Sequence, residues 1–229
     1  MLICKWDKLP DDMKNDAVYT YWQKLHKKNF SLFWKRIFDI VVSLIMLILL
    51  SLLFIILAIA IKCDSKGPVF YRQERVTQYG KKFRIHKFRT MVNNADKIGS
   101  QVTVADDSRV TKVGKFIRKL RLDEVSQLFD VLSGAMTFVG TRPEVPKYVE
   151  QYTDEMKATL LLPAGVTSLA SIKYKDEDRL LANTENVDET YINEVLPGKM
   201  EYNLQALRKC GFWRDIGIMF KTVGAVLRG

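Results

Sequence analysis

From Ile40 to Ile61 the chain reads IVVSLIMLILLSLLFIILAIAI, and no other stretch restricts its fold as much. Ser43 and Ser51 are the only polar residues in it, and a hydroxyl can bond back to a helix carbonyl. At 1.5 Å per residue the run is roughly 33 Å long as a helix, close to the bilayer hydrocarbon core of about 30 Å. A buried helix of a soluble domain seldom needs an apolar run of this length. A signal peptide fits no better, because the run starts far from Met1 and ends in Lys62-Cys63-Asp64 without a small-residue cleavage site. The sequence predicts a helix inserted in a membrane.

Both flanks of that helix are basic. Lys24, Lys27, Lys28, Lys35 and Arg36 precede it, and Lys62, Lys66, Arg72, Arg75, Lys81, Lys82 and Arg84 follow it. Basic flanks favour the cytosolic face. A straight span satisfies one flank, whereas a helix that enters and leaves through one leaflet satisfies both. A re-entrant, monotopic helix is therefore expected, with a straight span as the alternative. A re-entrant helix needs a break near its middle with its backbone groups still satisfied. Ser51 lies there, but no proline does. Ahead of the run, Trp6, Tyr19, Tyr21, Trp22, Phe30 and Trp34 alternate with lysines, a composition suited to headgroup depth. A short amphipathic helix packed on the domain would read the same way. Asp39, at the mouth of the run, is expected to pair with Lys35 or Arg36 one turn away.

The formal charge of +10 predicts attraction to polyanions. The basic stretches flank the membrane segment and no nucleic-acid recognition motif is present, so a nucleic-acid binder is disfavoured. A single apolar segment argues against a transporter. Cys4, Cys63 and Cys210 are scattered, and with His26 and His86 they suggest neither a zinc site nor a disulfide framework.

Beyond the anchor, Tyr71 to Val76 and Lys82 to Phe88 read as the arms of a small basic hairpin turning at Gly80. Helices are expected over Val113 to Lys119 and Asp123 to Leu132, the second with Val125, Leu128, Phe129 and Leu132 as its apolar stripe and Gly134 as its stop. Further helices are expected from Pro146 to Leu161, Glu177 to Leu181, Asp188 to Val195, Lys199 to Arg208 and Phe212 to Leu227. The last carries Trp213, Ile216, Met219, Phe220 and Val223 on one side, suited to a membrane surface or to the core. The fold class is mainly α with a small β-hairpin: an N-terminal re-entrant membrane helix, interfacial helices and a compact cytosolic domain. The divisions are 1–33 for the interfacial segment, 34–62 for the membrane helix and 63–229 for a catalytic domain.

Asp123 and Glu124 stand at a helix start, where acidic residues commonly serve only as caps. The helix dipole would also lower an Asp pKa there. An ionised carboxylate beside a second one is a magnesium site and a nucleophile toward phosphorus. Lys87, Arg89, Arg118, Lys119, Arg121 and Arg142 are near enough in sequence to hold an anionic substrate.

At this point the chain resembles the bacterial sugar transferases, the monotopic phosphoglycosyl transferases that begin glycan assembly on polyprenyl phosphate. The matching segments are KRIFDIVVSL (Lys35–Leu44), DSKGPVFYRQERV (Asp64–Val76), FRIHKFRTM (Phe83–Met91), TKVGKFIRKLRLDEVSQLFDVLSGAMTFVGTRPEVPKY (Thr111–Tyr148), PAGVTSLA (Pro163–Ala170) and DIGIMFKT (Asp215–Thr222). The resemblance implies transfer of a phosphosugar from a UDP-sugar to polyprenyl (undecaprenyl) phosphate, with release of UMP. Asp123 would be the nucleophile that carries the phosphosugar, and Glu124 its magnesium-binding partner, with Mg²⁺ as cofactor. Lys87, Arg89, Arg118 and Arg142 match phosphate-binding positions, and Asn203 falls where many members carry a substrate-site Asp. The implied partners are UDP-sugar, polyprenyl phosphate and inner-membrane lipids, with room for a homo-oligomer and no nucleic acid. The implied location is the bacterial inner membrane with the catalytic domain on the cytosolic face. A catalytically degenerate, membrane-anchored scaffold of a glycan assembly complex is the alternative. Two departures stand out: Ser51-Leu52 replaces the family's Ser-Pro break, and Leu169-Ala170-Ser171-Ile172 replaces Trp-Ala-Gln-Val.

Overall fold

The computed structural model describes residues 2–95, 107–175, 177–181, 184 and 186–227. Helix α1 (Asp16–His26) is followed by α2 (Asn29–Leu49) and α3 (Ser51–Asp64). The apolar run is divided between α2 and α3, which are bent by 62° at Leu50. Neither helix alone is long and apolar enough to cross a membrane; the bent pair matches a span in length and composition only. The break falls one residue before Ser51. It needs no proline, because Leu50 turns its own backbone to ψ 4° while its N–H still reaches Met46 O at 2.9 Å. Along both helices Val41, Leu44, Ile48, Leu52, Ile55 and Ile59 are exposed.

Polar residues fasten both ends of this bent pair to the rest of the chain. On α2, Arg36 donates to Val131 O at 2.6 Å and to Leu132 O at 2.9 Å. These are C-terminal carbonyls of helix α5 (Leu128–Ser133), and Val131 O also accepts from the capping Gly134 N at 3.1 Å. Lys35 donates to Val139 O at 2.8 Å and pairs with Asp215. Asp39 accepts from Thr137 Oγ1 at 2.7 Å. The expected pairing of Asp39 with Lys35 or Arg36 is thus replaced, since both cations find partners across the interface. At the far end, Arg89 donates to Lys66 O at 2.8 Å and Ser65 O at 2.6 Å. Asp64 accepts from Val113 N at 3.0 Å, at the start of helix α4 (Lys112–Lys119).

Strands β1 (Phe70–Val76) and β2 (Lys82–Phe88) form the expected antiparallel hairpin, with Tyr71 opposite Lys87 and Arg75 opposite Phe83. Its turn contains two consecutive left-handed residues, Tyr79 (φ 59°) and Gly80 (φ 72°). A second, parallel pair was not expected: β3 (Met136–Val139) lies beside β4 (Ala164–Thr167). The helix expected from Pro146 to Leu161 is interrupted. It is a short helix α6 (Pro146–Val149), a turn, and a 3₁₀ segment over Met156–Leu161. Thr153 supplies the restart, its hydroxyl lying 3.4 Å from Met156 N. Helices α7 (Leu169–Lys173), α8 (Glu177–Leu181) and α9 (Val187–Thr190) follow. A π-helical turn over Tyr191–Val195 leads into α10 (Leu196–Arg208), and α11 (Phe212–Leu227) comes last.

The N-terminal segment packs on the main core rather than standing apart. Ile3, Leu9, Met13, Val18, Tyr21 and Leu25 share one buried cluster with Tyr148, Leu161, Tyr191 and Met200. Trp6, Tyr19, Trp22 and His26 stack among themselves beside it. Phe30 and Trp34 face outward at 76% and 53% exposure. Helix α11 buries Ile218 and turns Trp213 and Phe220 outward.

The parallel pair leaves no room for side chains at its crossing. A methyl on Gly165 would lie 2.2 Å from Gly140 N and 2.5 Å from Gly140 Cα, both backbone atoms unable to swing aside. Gly165→Ala should therefore lower stability by about 1–3 kcal/mol. Thermal unfolding in detergent micelles checks this, and an unchanged midpoint would refute the close approach.

Candidate active site

The site forms where α4 gives way to the segment before α5. Helix α4 starts at Thr111, whose hydroxyl accepts from Gly114 N at 3.0 Å. Gly114 is required there, because a Cβ would sit 2.0 Å from Thr90 O. That approach puts Arg118 Nε 2.8 Å from Thr90 Oγ1 at the end of β2. Arg121 then takes a left-handed conformation (φ 54°), which disfavours a residue with a side chain and is tolerated where function requires it. The chain turns there into a 3₁₀ segment, Leu122–Gln127, before α5. The α-helix expected from Asp123 therefore begins only at Leu128. Asp123 and Glu124 precede it in tighter geometry, so Asp123 does not cap a long helix dipole.

Glu124 is the electrostatic hub. Arg142 donates to its two oxygens at 3.2 and 2.5 Å, and Lys87 Nζ lies 3.5 Å from Oε1. Burial alone would raise the Glu124 pKa, but Arg142 and Lys87 outweigh it and hold the group well below the usual carboxylate range. The same contact pushes Arg142 up. Lys87 is pulled down by burial, against the pull of Glu124.

Asp123 behaves in the opposite sense. Burial raises its pKa, opposed first by Lys87; Glu124 adds to the rise, and Arg118 and Arg142 counter it. The lowering expected from a helix dipole is not what the environment produces. Its Oδ1 is enclosed and accepts no hydrogen bond from the protein. An enclosed carboxylate oxygen without a donor, with cations around it, keeps an unmet capacity to accept.

Of the residues singled out in sequence, Asp123, Glu124, Lys87, Arg118 and Arg142 come together. Arg89 faces the same side but holds the carbonyls after α3. Asn203 lies apart, buried in α10 with its Nδ2 3.8 Å from Met200 Sδ, beside a different small cavity near Lys35 and Asp215. Missed in sequence is a buried ionic cluster behind Arg142. Glu144 accepts from Tyr191 OH at 2.7 Å and Lys199 Nζ at 3.1 Å, and Lys199 also meets Glu177 at 3.2 Å. Arg75 donates to Pro143 O at 3.1 Å. Burial raises the Glu144 pKa, but Lys199 and Arg75 outweigh it and bring it below its ordinary value. The succession Arg142-Pro143-Glu144 was the available signal: a charge on each side of a rigid residue, one facing the site and one facing the core.

Among the described residues no group of three or more His, Cys, Asp or Glu gathers to hold a metal. Magnesium needs less, since one or two carboxylates with substrate phosphate oxygens and water commonly suffice. The unpartnered Asp123 Oδ1 suits that role, whereas both Glu124 oxygens are already shared with cations. The residues fit an ion held chiefly through Asp123 once a phosphate is present.

A separate cavity reaches each member of the pair. One, of about 420 Å³, lies along the hairpin and is lined by Arg72, Arg75, Lys87, Arg118 and Asp123. The other, of about 480 Å³, lies on the Glu124 side between α2 and α11.

Residues 30–229 match the family model described as bacterial sugar transferase. Over 200 residues the chain is 36% identical to a UDP-N-acetylgalactosamine-undecaprenyl-phosphate N-acetylgalactosaminephosphotransferase of Aeromonas hydrophila, covering 86% of this chain and 44% of that protein. It is 39% identical to a UDP-glucose:undecaprenyl-phosphate glucose-1-phosphate transferase of Klebsiella pneumoniae, covering 83% of this chain and 39% of the relative. A 122-residue match at 41% identity, to a putative undecaprenyl-phosphate N-acetylgalactosaminyl 1-phosphate transferase of Bacillus subtilis, covers 53% of this chain and 68% of that one. The chain thus spans less than half the length of the first two relatives.

The charge balance at Asp123 has a direct readout. Its carboxyl should titrate above the ordinary aspartate value, and Lys87→Met should move the midpoint further up by removing the cation that most opposes the rise. A ¹³C titration of the Asp123 carboxyl, assigned with Asp123→Asn, measures this. A midpoint unmoved by the Lys87 change would remove Lys87 from the account.

Proposed function

The chain belongs to the bacterial sugar transferase family, and from that premise we propose that it transfers a phosphosugar from a UDP-sugar to polyprenyl phosphate. The observation that carries the proposal is the buried, unpartnered carboxylate oxygen of Asp123 among cations, in a body fastened to a bent apolar helix pair. Asp123 attacks the sugar-bearing phosphorus of the donor. The bond from that phosphorus to the bridging oxygen breaks, and UMP leaves with the electron pair. A phosphate oxygen of the carrier then attacks the same phosphorus and the Asp123 carboxylate is released, giving polyprenyl diphosphate-sugar. Each step exchanges one P–O bond for another, so the protein's task is positioning and charge neutralisation.

The residues divide that task. Burial makes Asp123 poorly solvated, and therefore reactive when ionised, while Lys87 and Arg118 keep the ionised form accessible. Glu124 holds Arg142 and Lys87 in place through its paired oxygens. Asp123, rather than the already paired Glu124, would hold Mg²⁺, which would neutralise charge on the diphosphate. Arg89 contributes by tying the end of α3 to β2 rather than by touching phosphate.

The setting is read as re-entrant, on the cytosolic face of a bacterial inner membrane. The 62° bend and the attachment of both helix ends to one body support it. The carrier's tail stays in the bilayer while its phosphate reaches the site from the same face as the soluble donor. This is the first membrane step of assembling an exopolysaccharide, O-antigen or glycoprotein glycan.

With a UDP-sugar and no acceptor, the protein should release about one UMP per active site and retain the phosphosugar. Asp123→Asn should abolish both, by at least about 10³-fold in rate. Intact-mass analysis and UMP release test this together, and undiminished release in the variant would rule out the aspartyl intermediate. Single cysteines at Lys8 and Asn94, in a background without the native thiols, should label from the same membrane face. Labelling from opposite faces would exclude the re-entrant reading.

A further inference from the structure

The cavity on the Glu124 side differs in character from the one along the hairpin. Its inner end reaches Glu124 and Arg142, its rim carries Lys119 and Arg121, and its outer part is apolar, with Met46, Val166, Met219 and Val223 among its lining. Met46 belongs to the apolar stretch of α2, and Val223 is 56% exposed on α11. The apolar end is therefore continuous with the exposed apolar faces of α2 and α11, where Ile45, Leu49 and Phe220 are also exposed. Such a cavity suits a molecule with an anionic head and a long hydrocarbon tail. The hairpin cavity, lined by Arg72, Arg75, Lys87 and Arg118, offers instead a polar, cationic enclosure suited to a nucleotide.

In-line displacement adds a constraint. The second nucleophile must approach phosphorus from the side opposite the Asp123 oxygen, which is the side UMP has left. Leaving group and acceptor phosphate therefore share one seat, and their remaining parts must diverge from it. Resting on the function proposed above, we infer that the two cavities are those diverging arms. The nucleoside of the donor takes the hairpin cavity. The prenyl units of the acceptor beyond the one attached to phosphate take the apolar cavity between α2, β4 and α11, with Arg121 and Lys119 drawing its phosphate inward. Met46, Val166, Met219 and Val223 thereby become acceptor-specific contacts that the donor does not use.

Val223→Trp fills this cavity from its exposed rim, where the fold tolerates bulk, and Met46→Trp fills it independently from α2. The full chain in mixed micelles is first loaded with UDP-sugar, and the retained phosphosugar is then discharged with either undecaprenyl phosphate or dimethylallyl phosphate. Both variants should slow discharge by undecaprenyl phosphate by about tenfold or more, while initial UMP release and discharge by dimethylallyl phosphate stay within about twofold of wild type. Wild-type discharge by the long carrier in both variants would overturn the inference. So would equal slowing of UMP release, which would place the donor in this cavity. Failure of the wild-type protein to retain any phosphosugar would instead overturn the underlying function, and the inference with it.

Discussion

Two arginines that bind carbonyl oxygens give this fold its geometry. Arg36 takes carbonyls at the end of α5, and Arg89 takes those after α3. A guanidinium holds several acceptors at once in a fixed fork, so each contact sets direction as well as distance. Because both ends of the apolar pair are held by one body, the pair must turn back, and the 62° bend at Leu50 accommodates this. The site inherits the arrangement. Arg36 binds the helix that follows Asp123 and Glu124, and Arg89 leaves the strand that carries Lys87. Lys35 with Asp215, and Asp39 with Thr137, add further polar contacts along the same seam.

Chemistry at the site rests on an unequal division of cations between two adjacent carboxylates. Glu124 takes most of them and stays charged. Asp123 has one oxygen without a donor, and burial works against its ionised form. Two neighbouring acids thus acquire different behaviour from the same surroundings, one holding the arginine in place and the other left available. The buried Glu144–Tyr191–Lys199 cluster stands one residue beyond Pro143 and fixes the chain that presents Arg142.

Where the sequence pattern was strong and local, it matched the structure closely. The hairpin arms, α4 and α11 follow from alternation, capping and apolar periodicity, and the bend falls beside Ser51. The parallel pair was illegible because Met136–Val139 and Ala164–Thr167 are short, largely buried and distant in sequence. Such strands show no alternation to read. The break after Val149 was hidden by a helical pattern on either side of it. The acidic pair was found, yet its setting was misjudged, since a left-handed Arg121 converts the expected helix start into a 3₁₀ segment. Asn203 was placed by alignment alone, and α10 buries it away from the pair.

The sequence by itself determined that one long apolar run lies between basic flanks, that Asp123 and Glu124 stand together, and that the chain shares its motifs with sugar transferases. Those properties are local, fixed by composition and by spacing within a few residues. Tertiary structure alone decided which cations each carboxylate receives, since Lys87, Arg118 and Arg142 arrive from different elements. It also decided that Arg89 anchors a helix end, and that the apolar run bends without a proline. Each of these depends on competition between distant groups for the same acceptors, and burial decides that competition only once the chain has folded.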